Sequence, residues 1–335
     1  RMRARPEAQR SPHAVRDMLA GLGYQELVNY AFVPPQWEKD FAGNDAPIAV
    51  LNPIAAHLSV MRSSLVGGLV ATLRYNLNRK ASRVRLFEIG RVFARDPAVA
   101  EGPLQVQGIA QPLAVAGLAY GPVDDEQWGT PSRDVDLYDV KGDVERLFAV
   151  TGVRFEAALH PALHPGRSAR IVIDGPHGER SAGFIGELHP KWQQRYELPR
   201  AAVVFHVELA PLLVRPLPVA REISRFQPLQ RDIAFIVDEA LPYAHIEAAI
   251  DDLSRRDDRL SALSEVRLFY VYRARSASST SVEAGANTLL NKEKSLAIRL
   301  VLQDTGRPLS DADADAAVTA VVDELARRFN ARLRQ

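Results

Sequence analysis

The chain has 335 residues, 47% of them hydrophobic and 25% charged, a length that exceeds one typical core and predicts two domains. Its 42 Lys and Arg against 41 Asp and Glu lack the basic excess of a dedicated nucleic-acid binder, so any contact with RNA has to come from a local patch or from other chains. Zero cysteines exclude disulfides, thiolate metal sites and a cysteine nucleophile, and the lack of any apolar run of about 18 residues predicts no helical membrane span.

In chain order, Arg1, Arg3 and Arg5 have no apolar segment behind them, which argues against a signal peptide. Met2 following Arg1 predicts a start inside a longer protein, and the missing cysteines fit a reducing, cytoplasmic location. Residues 10–22 read as a helix with Val15, Met18, Leu19 and Leu22 on one stripe, ended by Gly23. Residues 26–33 read as a strand, stopped by Pro34-Pro35. A longer helix over 64–78 carries Leu65, Leu69 and Leu73 on one side with Val66, Val70 and Leu77 beside them. A stripe that wide predicts burial on more than one side, including against neighbouring subunits.

Strands follow at 84–93 and 113–119, then a helix at 140–151 with Val144, Leu147 and Phe148 inward, then strands at 169–173, 182–187 and 203–208. The pattern is α+β and mainly antiparallel. Residues 213–221 hold Pro216 and Pro218 and read as a linker between domains. Beyond it come a strand at 232–237, a helix at 242–255, strands at 263–273 and 296–303, and a helix at 310–329. The capping box Ser310-x-x-Asp313 opens that last helix, and 331–333 supplies a final strand. The order is β-α-β-β-α-β, the ferredoxin-like split motif. Residues 274–291, rich in Ser, Ala, Thr and Gly, read as a mobile surface loop.

A series of short motifs then carries a resemblance. They are Gly23-Tyr24-Gln25-Glu26, Leu51-Asn52-Pro53-Ile54, Met61-Arg62-Ser63-Ser64-Leu65, Arg85-Leu86-Phe87-Glu88-Ile89-Gly90-Arg91-Val92-Phe93, His164-Pro165-Gly166-Arg167-Ser168-Ala169 and Gly186-Glu187-Leu188-His189-Pro190. Arg231-Asp232-Ile233-Ala234-Phe235, Leu268-Phe269-Tyr270-Val271-Tyr272-Arg273 and Lys294-Ser295-Leu296-Ala297 continue the series. In this order, over nearly the whole chain, they resemble the C-terminal portion of the bacterial phenylalanyl-tRNA synthetase β subunit.

The resemblance implies an upstream remnant at 1–10, a class II synthetase-like antiparallel-sheet module that has lost activity at 11–212, and a ferredoxin-fold anticodon-binding domain at 222–335. It implies a heterotetramer of two α and two β subunits, with phenylalanine tRNA as ligand. The α subunit would perform the chemistry with ATP and Mg2+, and no cofactor would be bound by this chain. A synthetase-derived paralogue acting as a regulatory or assembly factor is the rival reading.

An active synthetase of this class needs donors for the ATP phosphates. Gly90-Arg91-Val92-Phe93-Ala94-Arg95 looks like the motif-2 strand, yet the following Asp96-Pro97-Ala98-Val99-Ala100 lacks the charged and aromatic contacts, and no glycine-rich motif 3 follows. No catalytic residue is therefore expected. His160 and His164 have a metal-like spacing, but Pro161 and Pro165 disfavour a helix there, so no metal site is expected either. Ser168, His189 and Asp174 lack a nucleophile elbow. Arg62, Arg74, Arg79 and Lys80 read as a solvated or intersubunit charge run rather than as phosphate contacts.

Strand alternation over 263–273 places Leu268, Tyr270 and Tyr272 on one face and Phe269 and Val271 on the other. Two tyrosines in line suit the stacking of unpaired bases. By motif, Tyr272 is the expected base-stacking residue, seconded by Tyr270. Lys294 and Ser295 are the expected hydrogen-bonding partners, and Arg273 and Lys292 the expected phosphate contacts. Tyr270 stands where the family pattern has Asp, and the loop after Arg273 is longer than the family's compact version.

Overall fold

The computed structural model describes residues 8–149, 151–175, 178–220, 222–273 and 292–334. The 274–291 segment lies outside the described residues. The chain divides into two units, Arg1–Pro218 and Val219–Gln335.

In the first unit the elements run α1 (Pro12–Gly21), β1 (Gln25–Glu26), β2 (Phe32–Val33), α2 (Pro35–Trp37), β3 (Val60–Met61), α3 (Val66–Leu77) and β4 (Val84–Arg91). They continue through β5 (Ala94–Arg95), β6 (Ile109–Ala110), β7 (Leu113–Tyr120), α4 (Leu137–Leu147), β8 (Arg154–Ala157), β9 (Leu163–Gly175), β10 (Gly178–Leu188), α5 (Pro190–Arg195), β11 (Val203–Glu208) and α6 (Leu209–Leu212). Seven strands form one sheet in the order β1-β4-β7-β11-β10-β9-β8. Its pairs are antiparallel except β1 with β4.

Alternation along β4, β7 and β11 builds a core on each face of this sheet. Leu86, Ala116, Leu118 and Val204 face α3, whose Val66, Leu69, Val70 and Leu73 are fully buried there. Phe87, Val115, Ala119 and Phe205 face α1 and α4 on the other side. The apolar stripe of α3 is thus buried against its own sheet rather than presented outward. Tyr75, on the opposite flank, is the exposed large hydrophobic side chain of this helix. Gly117 has to be glycine because Phe205, directly opposite in the register, lies across it; a Cβ there would meet the ring at 2.2 Å.

Boundaries differ from the sequence reading for local reasons. The expected strand at 26–33 splits into β1 and β2, because the Asn29 amide turns inward to the Glu88 carboxylate. Helix α4 starts earlier than expected, fixed by a capping box in which Asp136 and Asp139 satisfy each other's backbone N–H groups.

The second unit comprises β12 (Leu229–Asp238), α7 (Tyr243–Ser254), β13 (Leu263–Arg273), β14 (Glu293–Leu302), α8 (Asp311–Phe329) and β15 (Arg332–Leu333). The strands pair antiparallel in the order β13-β14-β12-β15. Ile233, Phe235, Val237, Leu296, Ile298 and Leu300 pack beneath Ile246, Ile250, Val321 and Leu325 of the two helices. The helices cover one face of this sheet; among the described residues no element packs on the other.

Ser310 caps α8 through its hydroxyl, and the Asp313 carboxylate accepts from the Ser310 N–H at 2.8 Å. The Arg307 guanidinium, gripping both Asp313 oxygens at 2.9 Å, holds that carboxyl well below the usual range. Ser310→Ala is expected to destabilise the second unit by about 1 kcal/mol. Faster amide exchange in the first turns of α8, with α7 little changed, is the check.

Among the described residues no helix is long and apolar enough to cross a membrane.

Candidate nucleic-acid interface

The open face of the second unit is set by a register shift. Leu268 opposes Ile298 and Tyr270 opposes Ala297, so β13 carries one extra residue, Phe269, against β14. A bulge of this kind puts two residues opposite one and offsets the alternation beyond it. Leu268 therefore belongs to the helix face, where it packs on the core, while Phe269, Tyr270 and Tyr272 stand on the open face. The sequence expectation grouped Leu268 with the tyrosines and sent Phe269 to the other side. Both placements are corrected by the bulge, which alternation counting cannot see. All three rings are roughly half exposed.

Arginines frame these rings. Arg299 of β14 lies with its Cζ 5.3 Å from the Phe269 ring centre, and Arg334 lies 5.4 Å from that of Tyr272. Both distances fit cation–π contact. The Arg299 guanidinium is held flat by a two-pronged grip on Asp232, at 2.7 and 2.8 Å, across the register pair Asp232–Arg299. That grip raises the pKa of Arg299 and lowers that of Asp232. Arg332 pairs with Glu293 on the same face at 2.6 Å. The floor between the rings is made of small or buried residues: Ala234, Ala297, Ser295 and Ile236.

The expected site residues divide. Tyr272 and Tyr270 stand together on this face, and Ser295 is the direct cross-strand neighbour of Tyr272, although buried at 3% exposure. Lys294 and Arg273 point the other way. The Lys294 ammonium donates to the Glu239 carbonyl at 2.9 Å, and burial pulls its pKa below the ordinary lysine value. Arg273 pairs with the Glu239 carboxylate at 2.8 Å. Lys292 has a left-handed φ of 97°, and its carbonyl accepts from the Glu239 N–H. These three residues clamp the turn after β12 and are not gathered with the tyrosines. Phe269, Arg299 and Arg334 were missed by sequence reasoning. The only sequence signal for them was the opposite charge of Asp232 and Arg299, which becomes legible once the register is known.

The first unit's α3-facing sheet surface is closed by its own polar groups. The Arg62 guanidinium meets Glu88 at 2.7 Å with both side chains almost fully buried. It also donates to the carbonyls of Arg91 (3.0 Å) and Tyr30 (3.4 Å), while the other Glu88 oxygen accepts from the Asn29 side chain at 3.0 Å. Gly90 leaves room for this guanidinium, since a Cβ there would lie 2.2 Å from Arg62 Nη2. Arg62 is thus no member of a solvated charge run. Arg74 pairs with Glu197 and Arg79 covers the Tyr75 ring.

His160 stacks on Phe184, and His164 Nδ1 accepts from the Gly166 N–H at 3.0 Å. Ser168 donates to the Ala158 carbonyl, His189 caps α5 and Asp174 pairs with Arg154. Each of these groups has its own local partner.

Residues 1–209 match the family model described as the phenylalanyl tRNA synthetase beta chain CLM domain, and residues 224–334 match the ferredoxin-fold anticodon binding domain. The chain is similar to the phenylalanine–tRNA ligase beta subunit of Burkholderia pseudomallei (strain 1710b), with 50% identity over 335 residues covering 99% of this chain and 40% of that protein. The corresponding subunit of Bordetella bronchiseptica is 48% identical over 336 residues, covering 100% of this chain and 40% of its own length. That of Cupriavidus pinatubonensis is 49% identical, with 99% and 39% covered. The chain therefore spans about two fifths of the length of the curated relatives it matches. Among solved structures, a pyrrolysyl tRNA synthetase of Desulfitobacterium hafniense aligns at a TM-score of 0.40 and 12% identity, over 60% of this chain and 64% of that one. With one family model covering the first unit and another the second, the chain belongs to the phenylalanyl-tRNA synthetase β-chain family.

Proposed function

We propose that this chain is the scaffold and anticodon-reading portion of a phenylalanine–tRNA ligase. In this reading the complete enzyme attaches phenylalanine to its tRNA with ATP and Mg2+ in the cytoplasm. A separate α subunit performs the chemistry in a heterotetramer of two α and two β subunits. The first unit, residues 11–212, is a class II synthetase-like module without activity, 213–221 is the linker, and the second unit is the RNA reader.

The observation that carries the reading is the open face of the second unit, where Tyr270 and Tyr272 stand in line, framed by arginines, on a sheet otherwise backed by helices. Unpaired bases stack on such rings while arginines meet the phosphates. The closed first unit supports the division of labour. Arg62, sealed beneath the sheet, spends its donors on Glu88 and two backbone carbonyls, so it does not fit a triphosphate. For the α subunit, the exposed Val28, Tyr30, Leu51 and Ile54 flank the β2–β3 ribbon and offer an apolar surface that α3 does not.

The test is binding of the full chain to phenylalanine tRNA and to the same tRNA with its anticodon changed, over a series of salt concentrations. Preference for the natural anticodon is expected, and Tyr272→Ala is expected to weaken binding by about ten-fold while erasing that preference, the size of one lost stacked base. Equal, steeply salt-dependent binding to both RNAs would reduce the contact to backbone electrostatics and overturn the reading.

A further inference from the structure

We infer that Phe269 and Arg299 form a second base-stacking position on the open sheet face, beside the one at Tyr272, so that the unit holds a run of unpaired nucleotides rather than a single base. The inference rests on the proposed reading of this face as RNA-binding and extends it to residues outside the motif-based site.

Four observations converge. The bulge leaves two consecutive residues, Phe269 and Tyr270, on the same face as Tyr272, where unbroken alternation would have sent one of the two into the helix layer. A large apolar ring turned outward and left 47% exposed, although a buried core lies on the opposite face, has no packing role that Leu268 does not already fill. Arg299 lies over this ring with its plane fixed by both Asp232 oxygens, so its rotamers are already restricted before a ligand arrives. The spacing is that of a nucleotide chain: with Phe269 bulged out between the Ile298 and Ala297 levels and Tyr272 opposite Ser295, the strand advances by roughly 7–8 Å from Phe269 to Tyr272 at about 3.3 Å per residue, room for two splayed bases. The Asp232 carboxylate neutralises part of the Arg299 charge, so this position favours a base plane over a phosphate.

The experiment measures Kd of the full chain for the fluorescein-labelled anticodon stem-loop of phenylalanine tRNA, by anisotropy across a salt series. The variants are Phe269→Leu, Phe269→Trp and Tyr272→Ala. Phe269→Leu keeps an apolar side chain of similar bulk but removes the ring, and is expected to weaken binding by about ten-fold with an unchanged salt slope. Phe269→Trp is expected to restore binding, an outcome that a purely structural role would not give. Unchanged affinity in Phe269→Leu, with Tyr272→Ala weakened, overturns the second position and leaves the anticodon reading intact. Unchanged affinity in both variants overturns the reading and this inference together. Equal weakening in Phe269→Leu and Phe269→Trp marks a packing role and also overturns the inference.

Discussion

Replacing Glu88 by alanine is expected to destabilise the first unit by about 3–5 kcal/mol, the cost of leaving a buried guanidinium without its counter-charge. The Arg62–Glu88 pair sits where the sheet meets the segment leading into α3, with side-chain exposures of 6% and 2%. Arg62 also donates to the Arg91 and Tyr30 carbonyls, and the second Glu88 oxygen accepts from the Asn29 side chain. Removal of the carboxylate therefore leaves a guanidinium whose side chain is only 6% exposed without its counter-charge. It also releases the Asn29 turn that separates β1 from β2. The double replacement Arg62→Met with Glu88→Leu is expected to be much milder, because two apolar side chains carry no desolvation cost. Trp37, Trp128 and Trp192 all lie in the first unit, so tryptophan fluorescence during urea unfolding reports that unit alone. A shift in the midpoint for Glu88→Ala no larger than that of the double variant would show that the pair is not what holds this region together.

The same pair marks where sequence reading stopped. Strands and helices with clean periodicity were legible: α1, α3 and the whole β-α-β-β-α-β order of the second unit follow from apolar spacing, and Ser310 with Asp313 announced the start of α8. What periodicity cannot carry is a change in its own phase. The extra residue at Phe269 leaves the composition of β13 untouched yet moves Leu268 and Phe269 to opposite faces from those expected. Ionic character likewise does not reveal burial. Arg62 and Arg74 look alike in the sequence, but one is sealed under the sheet and the other pairs with Glu197 at the surface. Lys294 and Ser295 are neighbours in one motif, and β-strand alternation sends them to opposite faces, so a motif carried over as a unit cannot act as a unit. Tyr270 and Tyr272 escaped this problem because the bulge precedes both of them.

Acidification from pH 7 to pH 4 is expected to weaken the first unit through two stacked imidazoles. His160, Phe184 and His206 form a layered array on the α3 side of the sheet, with ring centres 3.7 and 5.3 Å apart. His206 Nε2 is buried with no hydrogen-bond partner, so a proton placed there has nothing to donate to. Burial pushes the His206 pKa down to about 4, reinforced by the positive charge of His160 and Arg62 facing it; burial alone does the same for His160. His160 Nδ1 already accepts the Ala162 N–H at 3.2 Å, a hydrogen bond that this nitrogen cannot keep once it carries a proton of its own. Because both folded-state values lie below the unfolded value of about 6.5, the unfolded chain binds more protons between pH 6.5 and 4. The stabilisation is complete above that window, falls as pH drops through it, and is gone once pH passes the folded values. For the buried His206 the loss amounts to about 3 kcal/mol across the window, with His160 adding to it in the same direction. His206→Phe preserves the stack and removes the titration. Its stability, followed by tryptophan fluorescence in urea, is expected to decline less steeply between pH 6.5 and 5 than that of the unmodified chain, by about 1 kcal/mol per pH unit. Identical slopes in the two proteins would mean that the His206 ring takes up its proton in the folded state as readily as in the unfolded one, and the array would then be a packing feature without acid sensitivity.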